Sequence, residues 1–366
     1  MTSSASGDTP PDLEVILAAH GEAETAGFFE NFRVGQRTLA HSAQVMHLPA
    51  PLRWLICTLG ALRKRFGRAK GSPHNAWTRA QAAALEDKLA QRLGQTVTVR
   101  AAFASAEPSV ERLLKQPPAA GRRIVVSMSP SDSRLSCGLL CHALQLGEPT
   151  GRSTLVIARL WADPAFVALN AAHVRSACRN EQVKAESSGK GQTALMLVLH
   201  GTLVKDQHGK APQFHAGEAE KTQFAEALQS ALTGRAGDCW GSVLPAYLNH
   251  DVAGTWSQPT VSAALETLAD QGVERVWVFP CDFPVEGGEI LGGLSQALNN
   301  GPISDSRLIP CLNDEAAFID YLADRIQRAL SEPQGQWHCD ACHRWRENRP
   351  SQAPEIGTSG AKSKLS

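Results

Sequence analysis

The feature that most limits the folds open to this chain is an alternation. Short apolar runs that stop at turn residues recur between long amphipathic segments. The runs read "LEVILAAHG", "TVTVRAAFA", "RRIVVSMSP", "STLVIARLW", "TALMLVLHG", "GSVLPAYLN", "VERVWVFP" and "RLIPCL". Near-continuous apolar runs of this length suit strands buried on both faces of a parallel sheet. Segments such as "AWTRAQAAALEDKLAQRL", "PAFVALNAAHVRSACRNEQ", "GEAEKTQFAEALQSAL" and "DEAAFIDYLADRIQRAL" carry apolar residues three and four apart, the spacing of helices with one covered face. Strands alternating with such helices predict an α/β architecture built from crossover units. At 366 residues the chain exceeds the roughly 250–300 at which a single core tends to split. The expectation is therefore two similar doubly wound lobes, each a mainly parallel four-stranded sheet flanked by helices, with a cleft between them.

The two halves echo each other. One buried run ends in "AAHGE", Ala18 to Glu22, and another in "LVLHGT", Leu197 to Thr202. Ligands of open α/β sheets bind beyond the carboxyl ends of the strands, which makes His20 and His200 candidate site residues. A boundary near 147–151 divides a lobe over 13–150 from a second over 151–332. Residues 1–12 read as a disordered start, and 333–366, rich in Pro, Gly, Ser and Lys, as a mobile extension. The stretch "FPCDFPVEGGEILGGL" sets Glu286 and Glu289 among glycines directly after a buried run. Helical periodicity resumes there, which puts Glu289 in a first turn, where the helix N-terminus stabilises a carboxylate. The pair reads equally as solvated capping acids or as two carboxylates facing one cavity. With a histidine that titrates near pH ~6.5, such acids suit proton removal or the handling of a divalent metal.

Composition removes several alternatives. Thirty-six basic residues balance thirty-six acidic ones, so no electrostatic footprint for nucleic acid is present. Neither a GxxxxGK[ST] loop nor a GxGxxG after a strand occurs, so no nucleotide is expected. No apolar run reaches the ~18 residues of a membrane span and no secretion signal is evident, which predicts a cytoplasmic protein. Nine cysteines at unrelated spacings read as reduced thiols. Near the end, "WHCDACHRW" gives Cys339 and Cys342 metal-ligand spacing. It also matches the C-x-x-C-H haem-attachment pattern, which requires export. A zinc or iron-sulfur site needs further ligands, for which Cys137 and Cys141 in "SCGLLCHAL" are candidates, although their spacing is equally that of buried helix residues. Finally, "LPAPLRWLICTLGALRKRF", 48–66, is apolar and then basic. It reads as an amphipathic element on a membrane surface, as the lip of an apolar pocket, or as a buried helix with a basic end.

Together these segments resemble the ferrochelatase family, from about residue 14 to 330. "LVLHGT" is similar to the family's S-x-H-G strand end, which places its catalytic histidine on His200. "VFPCDFPVEGGEIL" is similar to P-x-x-F-V-x-D-x-x-E-T-L, with Phe283, Glu286, Glu289 and Leu291 in register. "SMSPSDSRLSCG" resembles P-L-Y-P-Q-Y-S-x-x-T-x-G and keeps Pro130, Ser133 and Gly138. "YLNHDVAGTWSQPTV" resembles F-Q-S-R-x-G-x-x-x-W-L-x-P-x-T and keeps Trp256 and Pro259. The chain departs from the family where Q-S-R becomes Leu248, Asn249 and His250, and where two tyrosines become Ser129 and Asp132. It departs again where N-x-G-T-P becomes "AAHGE", a His-Gly similar to that of the small cobalt and sirohydrochlorin chelatases.

The resemblance implies chelatase-like lobes and a lyase that inserts ferrous iron, as substrate, into protoporphyrin IX or coproporphyrin III. It implies His200 as base, Glu289 as its partner at the metal, and Glu286 extending an acidic path to solvent. Leu52, Trp54 and Leu55 would form an apolar lip, with Arg53 meeting the propionates and His20, Ser133 and Trp256 in the pocket. It further implies peripheral contact with an inner membrane, admits a homodimer, and admits a [2Fe-2S] cluster on Cys339 and Cys342 with Cys137 or Cys141. The alternatives are a cobalt or nickel chelatase for another tetrapyrrole, with His20 as a second working histidine, and a haem-binding homologue without turnover.

Overall fold

The computed structural model describes residues 12–42, 48–67, 71–140, 154–182, 193–234, 238–250 and 253–331. The first sheet is built from β1 (Leu13–Ala19), β2 (Val97–Phe103), β3 (Arg122–Ser127) and β4 (Thr154–Ile157). The second contains β5 (Thr193–His200), β7 (Ser242–Leu248), β9 (Arg275–Phe279) and β10 (Asp305–Leu308). Between them in sequence, β6 (Leu203–Lys205) and β8 (Thr255–Trp256) form a small antiparallel ribbon. The sheet orders are β2-β1-β3-β4 and β10-β9-β5-β7. Numbered within its own lobe, each is 2-1-3-4, and every pairing in both is parallel. The expected pair of similar, parallel four-stranded lobes is thus present. Both β1 and β5 occupy interior positions and are buried almost throughout, which accounts for their unbroken apolar sequences.

The helices follow the sequence periodicity closely. They are α1 (Phe28–His41), α2 (Ala50–Phe66), α3 (His74–Leu93), the short α4 (Val110–Leu114), α5 (Pro164–Gln182) and α6 (Glu218–Leu232). Further on come α7 (Val261–Asp270), α8 (Ser295–Asn300) and α9 (Ala316–Ser331). The side chain of Thr260 caps α7 by accepting the Ala263 N–H at 3.1 Å.

Two expectations about organisation need correction. Thr154–Ile157, placed by the boundary near 147–151 in the second lobe, pairs with β3 and completes the first sheet. The crossover to the second lobe therefore begins after Ile157. The lobes also share a core, beside smaller clusters of their own around Ile16, Leu114 and Val125 in the first and Met196, Leu265 and Ile290 in the second. One apolar cluster takes in Leu17 and Val126 from the first sheet, Leu197 and Phe279 from the second, and Phe166, Phe224 and Phe318 from the covering helices. Phe166 is fully buried at its centre, with its ring 5.7 Å from Phe224 and 5.5 Å from Tyr321. The last helix, α9, returns to the first lobe and packs on α3, where Arg92 bonds Asp320 at 2.5 Å and Asp324 at 2.6 Å.

Candidate active site

Three neighbouring strands of the second sheet, β7, β5 and β9, end at the same edge, and the residues just past them converge. His200 is the last residue of β5. The next residue must be glycine: a Cβ on Gly201 would lie 1.9 Å from Asn249 Oδ1 and 2.9 Å from the Leu248 carbonyl, to which the Gly201 N–H donates at 2.8 Å. This close approach draws the end of β7 against that of β5 and delivers His250 beside His200. Their rings lie 4.9 Å apart, with Nε2 to Nε2 3.1 Å. Trp256 of the small ribbon stands edge-on to His250 at 5.8 Å, and Phe283 lies 6.0 Å from His200.

Glu289 completes the group. It opens a single π-helical turn, Glu289–Leu294, where sequence periodicity predicts an ordinary helical first turn. Such wide turns occur often at functional sites. Glu289 Oε2 lies 3.6 Å from His200 Nε2, and its Oε1 lies 3.8 Å from His250 Nε2. The ligating atoms of the three residues all fall within 4.8 Å of one another, the one such group of three His, Cys, Asp or Glu among the described residues. Two imidazoles and one carboxylate with open positions suit a divalent transition metal, Fe(II) among them.

The protonation states follow from the surroundings. His200 Nδ1 contacts the Gly201 carbonyl at 2.7 Å. Since a carbonyl only accepts, Nδ1 carries the proton and Nε2 faces Glu289 and His250. Burial lowers the His200 pKa, but the charge and hydrogen bond of Glu289 outweigh it and hold the imidazole above its ordinary 6.5. Burial opposes ionisation of Glu289, yet the histidines around it bring that carboxyl down to about 2. Glu289 is thus ionised, and its carboxylate favours the protonated form of the His200 ring beside it. Behind it, the Asp282 carboxylate accepts the His200 backbone N–H at 3.3 Å through Oδ2 and the Ser131 hydroxyl through Oδ1. A residue from the end of the first sheet thereby braces the carboxyl edge of the second.

These groups form part of the wall of a cavity of about 590 Å³ between the lobes. His20, at the end of β1, lines the opposite wall. Burial and the neighbouring His74 lower its pKa to about 4, against the pull of Glu22 and Glu289, so it is neutral at physiological pH. Ser133, Trp256 and Ser129 line the cavity too. Asp132, the other replaced tyrosine, is buried away from it with Oδ2 3.2 Å from Trp161 Nε1. Glu22 ties the walls together: its Oε2 accepts the Gly288 N–H at 2.8 Å, and a Cβ on Gly287 would sit 2.6 Å from its Oε1.

Other expected residues are elsewhere. Glu286 is not among the residues lining the cavity; its Oε1 accepts the Cys311 N–H at 3.0 Å and its own N–H donates to Asn313 Oδ1 at 3.2 Å. It pins a neighbouring loop and does not extend an acidic path from Glu289. Leu52, Arg53, Trp54 and Leu55 do not line the cavity either. They belong to α2, which packs on α1, and it is α1 that reaches the cavity through Thr38, Leu39 and His41. The exposed side chains of α2 form a continuous apolar stripe through Leu52, Leu55, Ile56, Leu59, Leu62 and Phe66.

Cys339, Cys342 and Cys141 lie outside the described residues. Cys137 is buried with Sγ 3.6 Å from the Ser133 carbonyl, and it belongs to no group of three ligating side chains among the described residues. A cluster is not built into what the structure describes. His250 and Asp282 were not singled out from sequence as site residues. His250 does meet the criterion applied to His20 and His200, a histidine just beyond a buried strand, with the difference that it stands two residues past the strand end.

Comparison with known proteins agrees with this geometry. A family model described as Ferrochelatase matches residues 14–330. A ferrochelatase of Nitrosococcus oceani is 25% identical over 345 residues, covering 88% of each chain. A ferrochelatase of Neisseria meningitidis is 29% identical over 282 residues, 73% of this chain and 75% of the relative. Among solved structures, CbiX, described as the terminal enzyme for biosynthesis of sirohaem in denitrifying bacteria, superposes with a TM-score of 0.50 at 15% identity. That alignment covers 87% of this chain and all of CbiX, a likeness of fold.

Proposed function

The chain belongs to the ferrochelatase family, and on that premise we propose that this metal chelatase inserts ferrous iron into a porphyrin, with His200, His250 and Glu289 receiving the metal. The observation that carries the reading is the convergence of these three side chains on the wall of an inter-lobe cavity. Insertion exchanges two pyrrole N–H protons for one Fe²⁺, so two protons must leave the macrocycle for each iron that enters. His200 Nε2, once it has released its own proton, is the base for one of them, and Glu289 holds the resulting imidazolium. His250 replaces the arginine of the family's Q-S-R triplet and supplies a second ring nitrogen 3.1 Å from the first. Iron would first wait on the two-histidine, one-carboxylate site, and as it passed to the four nitrogens of the ring it would free His200 Nε2 to take up the pyrrole proton. The apolar stripe of α2, followed by Arg63, Lys64 and Arg65, supports a peripheral seat on an anionic membrane surface.

The test is anaerobic incubation of the purified protein with ferrous iron and, in turn, protoporphyrin IX, coproporphyrin III and sirohydrochlorin, read by the absorbance of the metallated product. Iron protoporphyrin or coprohaem formation is the expected result. Metallation of sirohydrochlorin alone, or a preference for cobalt, would move the protein to the neighbouring chelatase activity, which His20 and His250 in place of the family's usual residues would then explain. Tight haem binding with no metallation would sink the catalytic reading.

A further inference from the structure

Helix α6 turns its apolar stripe inward through Phe224, Ala225, Leu228 and Leu232, and the first residue of that stripe is a lysine, Lys221. Lysine is rarely fully buried without a partner, because an ammonium loses its hydration there. Lys221 is nevertheless only 6% exposed. It lines the cavity, and among the described residues it is the one lysine or arginine that does so. Its Nζ makes no hydrogen bond and no ion pair within 4.0 Å among the described residues. The nearest carboxylates are committed elsewhere. Asp282 is occupied by the Ser131 hydroxyl and the His200 N–H, while Glu289 is held between His200 and His250. The N-cap of α6, Gly217, contributes no capping oxygen, so the positive end of the helix adds to the ammonium. A buried lysine therefore faces the cavity with Asp282 and Glu289 near it on the same wall but engaged by other partners.

We propose that Lys221 binds a carboxylate borne by the tetrapyrrole, seating an acidic side chain of the macrocycle deep in the cavity, against the second lobe. The inference rests on the reading of the cavity as a tetrapyrrole site. Burial lowers the Lys221 pKa, against the opposing charges of Asp282, Glu289 and Glu220. The consequence is a requirement for a free acid on the substrate that a purely apolar pocket would not impose. Hydrogen bonds to charged groups are individually strong, and leaving Lys221 opposite an ester would forfeit one.

The test is equilibrium binding, without iron, of deuteroporphyrin IX and of its dimethyl ester, followed by quenching of the protein's tryptophan fluorescence. The wild-type protein is expected to bind the diacid roughly 10–100-fold more tightly than the ester. Lys221→Met is expected to remove that difference by weakening the diacid alone, and Lys221→Arg to restore most of it. Sodium acetate is expected to compete with the diacid on the wild-type protein and not on Lys221→Met. Equal affinity for diacid and ester in the wild-type protein overturns the proposal, as does equal weakening of both by Lys221→Met. The wild-type comparison stands even where a variant fails to fold. Failure of the wild-type protein to bind either porphyrin would instead overturn the tetrapyrrole reading beneath it.

Discussion

At the residue scale the site is an arrangement of three titrating groups whose roles differ. His200→Ala is expected to lower iron insertion by roughly 10²–10⁴-fold, the usual share of a positioned base, while porphyrin binding measured by fluorescence persists. His250→Ala is expected to weaken binding of a probe metal such as Zn²⁺ by at least the roughly 10–100-fold that losing an outer-shell partner costs. Glu286→Gln is expected to leave metal binding unchanged, since its carboxylate is bonded to the Cys311 N–H. The pH behaviour has a definite sign. The groups around His200 are Glu289 and Asp282, which raise its pKa, and Lys221, which lowers it, with His250 against the ring. The protonated His200 therefore contributes stability below pH 6.5, and that contribution is lost as pH rises through its elevated pKa. Glu289 contributes above its ordinary 4.5 and loses the contribution as pH falls toward about 2. In Glu289→Gln the His200 ring is expected to titrate at lower pH than in the wild-type protein, which histidine NMR would record; an unchanged or higher value would contradict the pairing. His200 was legible in the sequence because a histidine closing an unbroken apolar run has one place to be. The orientation of Glu286 was not. Three residues of separation bring two side chains to one face only in a helix, and the helical turn does not begin until Glu289.

At the element scale, strands and helices were legible because each carries its own periodicity, whereas partnerships between strands were not. β4 joins the first sheet through its ladder with β3, across a segment whose sequence says nothing about pairing. The lip residues show the same limit: the apolar character of α2 was evident, but which neighbour it would turn toward was not. Its stripe remains uncovered, with Leu55 47% and Leu59 57% exposed. Sedimentation with vesicles rich in anionic lipid is expected to carry the wild-type protein down in low salt. The substitutions Leu55→Ser and Leu59→Ser together are expected to release it with iron insertion into a soluble porphyrin unchanged, because neither residue lines the cavity. The π-helical turn is braced from the other lobe by Glu22. Gly287→Ala would displace that carboxylate, whose Oε1 lies 2.6 Å from where the new Cβ must go.

At the scale of the whole molecule, a core cluster that spans both lobes links them, beside the smaller cluster each keeps to itself. Phe166→Ala is expected to cost about 3–5 kcal/mol, the usual penalty for emptying a buried aromatic site, and denaturant unfolding of the variant is expected to remain a single transition. Two separated transitions would show that the lobes melt independently. The return of α9 to the first lobe has a consequence in time as well as in space. Ribosomes deliver the chain from its amino end, so the first sheet is complete once Ile157 emerges, yet the helix that covers its flank begins at Ala316. At roughly 5–20 residues per second, the nascent protein spends on the order of ten to thirty seconds with that apolar flank bare. Over that interval the half-made chain is a client for whatever holds unfinished proteins apart, and a message cut short before Ala316 would leave it one permanently.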